Sequence, residues 1–169
     1  MAHFAPGANE LPKDSTNEHP DRFGGRERGP AGRLLALDLG EKRVGVAVSD
    51  ELRLTVRPLP YLRRTNWKQL LGDVAALLQR FDARALVIGL PLGLEGAEGE
   101  AAGNVRRLAR NFELSLKVPV FLQDERLTSR AAEESLRAGG LREECLRERV
   151  DSEAAAIILR DFLAASGGE

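Results

Sequence analysis

Four acidic residues stand where their side chains could do chemistry together. Asp38 lies near the end of an apolar run, and Asp124 and Glu125 stand just after another apolar run that ends at Leu122. Asp151 opens a third apolar segment. Burial of an unpaired ionised carboxylate is costly, so such acids need a compensating partner. Clustered carboxylates without histidine or thiol suit a hard cation, Mg²⁺ or Mn²⁺. Two such ions ~3.5–4 Å apart can activate water and stabilise the leaving oxygen of a phosphodiester.

Each acid also has an ordinary structural interpretation. Asp38 could accept hydrogen bonds from the turn of its own hairpin. Residues 124–126 could form a turn with a local ion pair. Asp151 or Ser152 could be the N-cap of a helix. The residues alone leave these alternatives open, and it is the expected common location of the acids that favours a site.

A β-hairpin is predicted to carry Asp38. Leu34–Leu39 and Val44–Val48 are apolar runs separated by a short polar break, which is typical of two paired strands. Residues 54–62 predict a third strand, and Pro58 and Pro60 within it favour an edge or irregular strand.

The rest of the chain predicts alternating helices and strands. Asn66 is expected to cap a helix whose apolar stripe includes Trp67, a core position, so no aromatic stacking surface is evident. The other predicted elements are a buried strand at 85–90, a helix after the glycine-rich loop 89–99, a buried strand at 118–122, a helix from 128 or 129 to 136, a polar stretch at 142–149 and a helix from Asp151-Ser152 to 167. The order β-β-β-α-β-α-β-α predicts an α/β fold, a mixed sheet with helices on both faces.

This sheet is expected to bring the acids together, because sites in such folds gather beyond the carboxyl ends of the strands. Asp38 and Glu125 end two of these strands. Asp151 shares a helical face with Ala155, Ile158 and Phe162, so it is expected on the side that faces the sheet.

Composition limits the class of protein. The chain has 169 residues, most simply one domain at 32–169 after a proline-rich extension, 1–31, that we expect to be disordered or loosely attached. The formal net charge is −1, so any basic surface must be local. Both histidines, His3 and His19, lie in the extension, which excludes a catalytic histidine in the domain. The single Cys145 excludes an intrachain disulfide and fits a reducing cytoplasm. No apolar run reaches the ~18 residues of a membrane span.

A cationic helix face is the clearest local basic feature. Arg106, Arg107 and Arg110 lie opposite the apolar stripe of their helix. This pattern is typical of a solvated face, and phosphate contact is the alternative. The preceding glycine-rich loop lacks the spacing of a phosphate-binding loop, so a mobile loop that approaches a backbone or a substrate is expected.

Four sequence blocks resemble the YqgF/RuvX family, which is similar to RuvC-type Holliday junction resolvases of the ribonuclease H-like superfamily. They are LALDLGEKRVGVAVSD, VIGLPLGLEGAEG, VPVFLQDERLTS and VDSEAAAIILRDFL, and the resemblance spans roughly residues 33–165. It implies a ribonuclease H-like fold and two-metal phosphodiester hydrolysis.

The resemblance also implies roles for particular residues. It gives Asp38, Glu125 and Asp151 metal-binding or catalytic roles, with Asp124 as a less certain fourth ligand. Lys42, Arg43 and Arg126 would lie near the scissile phosphate.

The function implied is a metal-dependent endonuclease on structured nucleic acid, maturing the 5′ end of 16S ribosomal RNA or cleaving four-way DNA junctions. Symmetric cleavage of a junction needs two active sites, which would favour a homodimer. The alternative is a non-catalytic nucleic-acid-binding factor in ribosome assembly or transcription that uses Arg106, Arg107, Arg110 and Arg126. A third interpretation, an actin- or sugar-kinase-like ATPase, ranks last because the domain is too short to hold the two lobes that enclose a nucleotide.

Overall fold

A five-stranded mixed sheet forms the centre of the molecule. The computed structural model describes residues 29–93, 96–125 and 143–167, with side chains in the last range from Ser152 onward. The elements in chain order are β1 (Arg33–Leu39), β2 (Arg43–Ser49), β3 (Val56–Arg63), α1 (Trp67–Phe81), β4 (Ala83–Leu90), α2 (Glu100–Leu116), β5 (Val120–Asp124) and α3 (Glu143–Gly167). The strands lie in the order β3-β2-β1-β4-β5.

Strand directions follow from the connections. The hairpins pair β1 with β2 and β2 with β3 in antiparallel fashion, whereas β4 and β5, each reached through a helix, extend the sheet in parallel from β1. The predicted α/β mixed sheet is confirmed. Strand β3 lies at the edge, with a register shift opposite the segment between Val44 and Val46, as its prolines predict.

The turn of the first hairpin is anchored to the segment before α1. Arg64 donates from its guanidinium to the carbonyl oxygen of Gly40 at 2.8 Å, and its backbone N–H donates to the carbonyl oxygen of Lys42 at 2.9 Å. Asn66 then caps α1 by accepting the N–H of Gln69 at 2.9 Å, as predicted. The end of β1 and the start of α1 are therefore held side by side.

The two faces of the sheet are packed differently. Helices α1 and α2 cover one face through large side chains such as Leu70, Val74 and Phe112. Helix α3 covers the other face. There the buried core is rich in alanine, with Leu34, Ala36, Ala47, Ala85, Val87, Phe121, Ala155, Ala156, Ile158, Leu159 and Phe162.

Helix α3 begins earlier than the sequence predicted. It starts at Glu143, so Asp151 lies about two turns inside it. The predicted start at Asp151-Ser152, the polar break at 142–149 from Glu143 onward, and the N-cap alternative for Asp151 or Ser152 are wrong. Segment 143–150 is rich in Glu and Arg, which favour a helix but form no apolar stripe from which a helix could have been predicted.

Some predictions fall outside the described residues. These are the extension up to residue 28, the helix at 128–136 and Arg126. Among the helices that the structure describes, none is long and apolar enough to cross a membrane.

Candidate active site

Asp38 and Glu125 meet at the carboxyl end of the sheet, on the face covered by α3. Along β1, Leu34 and Ala36 belong to the core under α3, and strand alternation places Asp38 next in that series. Glu125 directly follows β5, and its backbone N–H donates to the carbonyl oxygen of Leu90 at 3.2 Å. This bond continues the pairing of β4 with β5 and fixes where the glutamate leaves the sheet.

Gly89 makes the space that the Glu125 carboxylate occupies. A Cβ atom at Gly89 would lie 2.5 Å from Oε2 of Glu125 and 2.6 Å from Cδ1 of Ile158 in α3. Carbon atoms do not approach so closely without displacement of their neighbours. The missing side chain in β4 therefore lets the carboxylate lie between the sheet and the helix.

The environment of Glu125 changes its protonation. The pKa of Glu125 is raised from 4.5 to about 7, and the largest cause is burial, because the charged form loses its hydration. The negative charge of Asp38, a side-chain hydrogen bond with Asp38 and the charge of Asp124 contribute to the same rise. Two carboxyl groups can share a hydrogen bond only when one holds a proton, so the pair retains a proton near neutral pH.

The chemistry of this pair suits a hard divalent cation. Both side chains offer only oxygen ligands, and a bound cation would replace the shared proton and cancel the mutual repulsion. Within the described ranges, no group of three or more Asp, Glu, His or Cys side chains is close enough to hold a metal ion. The described part of the site is therefore two carboxylates.

Asp124 belongs to the opposite face of the sheet. It pairs with Leu90 in β4, and Leu90 belongs to the core under α1 and α2. Its charge still reaches Glu125. Asp124 and Glu125 are therefore neighbours in sequence but lie on opposite faces of the sheet.

Asp151 lies in α3, and its side chain is outside the described part of the chain. Its backbone precedes Ile158, the neighbour of Gly89, by about two helical turns. The next residue, Ser152, is buried and donates from Oγ to the carbonyl oxygen of Leu59 in β3 at 2.6 Å. This bond fixes α3 against the sheet at the point where Asp151 stands.

Sequence reasoning missed the roles of Gly89 and Ser152. An isolated glycine inside the apolar run of β4 was an available signal, because it often marks a close approach of another group. No local signal identifies the partner of Ser152, which is 93 residues away in the chain.

The predicted basic residues of the hairpin lie close to the acids in sequence and differ in environment. Lys42 is exposed in the turn. Arg43, at the start of β2, is partly buried with its guanidinium carbon 5.0 Å from the centre of the Tyr61 ring.

The arginines of α2 are on the other side of the sheet from the acid pair. Arg106 donates to the carboxylate of Glu98 at 3.0 and 3.1 Å, and these hydrogen bonds lower the pKa of Glu98. Arg107 donates to Oδ1 of Asn104 at 2.9 Å, and Arg110 is exposed. Within the described residues, Arg106 therefore holds the loop before α2 in place.

Comparison with known proteins identifies the family. A sequence model described as "RuvX: Holliday junction resolvase" matches residues 32–165. The chain belongs to the RuvX family. The predicted family is confirmed, and membership carries a nuclease role, that of a hydrolase acting on nucleic-acid phosphodiesters.

Individual relatives and a solved structure agree with this assignment. The chain is 43% identical over 137 residues to the "Putative pre-16S rRNA nuclease" of Syntrophus aciditrophicus (strain SB), covering 81% of this chain and 91% of that protein. It is 42% identical over 131 residues to the protein of the same name in Anaeromyxobacter sp. (strain Fw109-5), covering 78% and 96%. The fold is similar to that of T. thermophilus RuvC in complex with a Holliday junction substrate, with a TM-score of 0.50, 20% identity, and coverage of 80% of this chain and 96% of that one. The predicted ribonuclease H-like fold is confirmed.

Proposed function

We propose that this protein is a divalent-metal-dependent endonuclease that processes the 5′ end of pre-16S ribosomal RNA. The observation that carries the proposal is the Asp38–Glu125 pair, in which a partly buried glutamate with a pKa of about 7 shares a hydrogen bond with a second carboxylate. The names of relatives at 43% and 42% identity support the RNA substrate.

Cleavage of four-way DNA junctions is the second candidate. It is supported by the description of the family model. A junction presents two equivalent strands, so this activity would need two active sites and a homodimer. The oligomeric state therefore separates the two substrates, and the dimer remains a prediction.

The acids would hold the cation. In this proposal Asp38, Glu125 and Asp151 bind Mg²⁺ or Mn²⁺, two per site, with Asp124 acting on them through its charge. The cations, when bound, activate water and stabilise the leaving oxygen. Partial burial of Glu125 leaves its carboxylate poorly hydrated beside that of Asp38. Binding of a proton or a cation is therefore strongly favoured over two adjacent charged carboxylates.

Basic residues would hold the backbone of the nucleic acid. Lys42 and Arg43 stand at the turn of the hairpin that carries Asp38, and Arg126 directly follows Glu125. All three are close in sequence to an acid of the pair, which suits contact with the phosphates that flank the cleaved bond. Such contacts would position the substrate and make binding dependent on salt.

A cleavage assay tests this proposal. Wild-type protein is incubated with a pre-16S RNA fragment and with a synthetic four-way junction, each with Mn²⁺ and with chelator. The RNA fragment should be cleaved only with Mn²⁺. Asp38→Asn should abolish cleavage and leave binding nearly unchanged, because it removes a charge and keeps the shape.

Asp82→Asn is the matched control. Asp82 is exposed at the C-cap of α1 with φ 49°, a conformation that asparagine tolerates, so this variant should cleave like wild type. Equal cleavage by Asp38→Asn and wild type would contradict metal-dependent hydrolysis at the acid pair. Binding that ignores chelator, with no cleavage of either substrate, would instead favour the non-catalytic binding factor.

A further inference from the structure

A cavity of about 610 Å³ opens on the face of the sheet opposite the acid pair. It lies between the first turn of α1 and the first turns of α2, beside the β1–β2 turn. Its lining includes Leu39, Glu41, Arg64, Trp67, Ala101 and Arg107. Its volume falls in the usual range for small-molecule sites.

The cavity combines an apolar interior with a polar rim. Leu70 and Val105 are buried in its floor. Trp67 is half-buried at its wall and packs against the buried ring of Phe112, with ring centroids 4.8 Å apart at a tilt of 55°. An aromatic ring held rigidly at an open wall is a surface on which a planar ligand can stack.

The rim carries cationic groups. Arg64 and Arg107 line it, and their described hydrogen bonds are to the Gly40 carbonyl oxygen and to Asn104. A guanidinium has more N–H donors than these contacts use, so both side chains can also approach an anion. The exposed residue Glu41 also lines the cavity, so the lining carries two guanidinium groups and one carboxylate. It suits a ligand that is planar and apolar at one end and has anionic groups that the two guanidinium groups can bind.

The cavity and the acid pair share the end of β1. Leu39 lines the cavity and directly follows Asp38, and successive residues of a strand point to opposite faces. The Cα atoms of the two residues are one step (~3.8 Å) apart, and the two sites lie on opposite faces of the sheet at this strand end. A nucleic acid that contacts both must pass around this end of the sheet.

We propose that the cavity receives an unpaired nucleobase of the nucleic acid that is cleaved at the acid pair. The base stacks on Trp67, and the backbone phosphates of its nucleotide contact Arg64 and Arg107. This inference rests on the proposed nuclease function and adds a requirement for an unpaired base near the cleavage point. Protein sites that recognise RNA sequence commonly take unstacked bases in this way.

Fluorescence provides a direct test, because Trp67 is the only tryptophan of the chain. The full-length protein is titrated with a five-nucleotide oligoadenylate and with an abasic oligomer of the same length and charge. The oligoadenylate should quench the emission saturably, and the abasic oligomer should not. Equal quenching by both would overturn the proposal, because it would assign the signal to the phosphates.

A cavity-filling variant gives the second arm. Ala101 is exposed and lines the cavity, so Ala101→Leu should weaken oligoadenylate binding by about tenfold, the order of one base-stacking contact. Ala76→Leu makes the same change at an exposed position of α1 that does not line the cavity, and it should bind like wild type. Unchanged affinity in Ala101→Leu would overturn the proposal.

Cleavage by the same variants separates this inference from the proposed function. If wild type cleaves the pre-16S RNA fragment and Ala101→Leu cleaves it equally well at low substrate concentration, the cavity proposal fails and the nuclease proposal stands. If wild type cleaves neither substrate but oligoadenylate still quenches Trp67 in a base-dependent way, base binding by the cavity stands and the nuclease proposal fails.

Discussion

The two faces of the sheet differ most at its carboxyl end. On the face under α3, alanines and Gly89 let the helix come close, and the space that remains is filled by the carboxylate of Glu125. On the face under α1 and α2, large side chains build a thicker core, and the layer opens into the cavity beside Leu39. One strand end thus carries a half-buried acidic pair on its closely packed, closed side and an open cavity with an apolar floor on the other.

This difference explains the electrostatics of the closed side. Burial, rather than the charge of Asp38, is the largest cause of the raised pKa of Glu125. Close packing of α3 produces that burial. Small residues on this face therefore act on the acid pair indirectly, by keeping water away from it.

The largest expected effect comes from the acid pair itself. Glu125→Gln keeps the shape of the side chain and removes its charge, so Mn²⁺-dependent cleavage should fall by at least about a hundredfold, since even outer-shell partners of a metal ligand are worth 10–100-fold. Single-turnover cleavage of the RNA fragment measures this. Glu51→Gln, at an exposed position between β2 and β3, is the control and should leave the rate unchanged. A loss of only a few-fold in Glu125→Gln would mean that the closed side is not catalytic.

Closing the gap at Gly89 should damage both stability and activity. In Gly89→Ala the added methyl would lie 2.5 Å from Oε2 of Glu125, so we expect a loss of about 1–3 kcal/mol in the free energy of unfolding and a clear drop in cleavage. Urea unfolding measures the first effect. Gly72→Ala is matched to it, because a Cβ at Gly72 in α1 meets nothing within 4 Å. That variant should be slightly more stable than wild type, and an equal loss in both variants would contradict the close approach.

Stability of the metal-free protein should depend on pH through Glu125. Its pKa is raised from 4.5 to about 7 in the folded state, so the folded protein binds the proton more tightly. This contribution is fully present below pH 4.5 and is lost as the pH rises through 7, by about 1–3 kcal/mol. Denaturant midpoints between pH 4.5 and 8 should show the decline, and Glu125→Gln should flatten it. If the denaturant midpoint of Glu125→Gln fell with pH as steeply as that of wild type, Glu125 would not be the cause of the decline.

The smallest expected effect concerns the attachment of α3. Ser152→Ala leaves the carbonyl oxygen of Leu59 without its 2.6 Å hydrogen bond, which should cost about 1–2 kcal/mol of stability. Cleavage should fall as well, because Asp151 adjoins this contact. Ser115→Ala, at an exposed position of α2, should change neither quantity, and an unaffected Ser152→Ala would show that this contact does not position α3.

Local patterns in the sequence predicted most of the fold. The first hairpin, the Asn66 cap and the strand at 85–90 each follow from residues within one element, and all are present. The start of α3 was missed because its first turns lack an apolar stripe. Only long-range packing determines that Glu125 fills the gap left by Gly89.

The candidate site could be predicted only as far as local sequence patterns determine it. Asp38 and Glu125 end strands that the topology brings together, and they do meet. Asp124 was grouped with them by adjacency, yet strand alternation turns it to the other face. Trp67 fitted an apolar stripe, and the sequence did not indicate that one side of its ring borders a cavity.

Direct measurement of Mn²⁺ binding tests the central claim, that Asp38 and Glu125 together hold a divalent cation. Calorimetric titration of the full-length protein near pH 7, in buffers of different ionisation enthalpy, reports both the affinity and the protons released. We expect saturable binding with proton release from the acid pair, and loss of both in Asp38→Asn and Glu125→Gln. Mn²⁺ binding of unchanged affinity and proton release in those two variants would contradict the account.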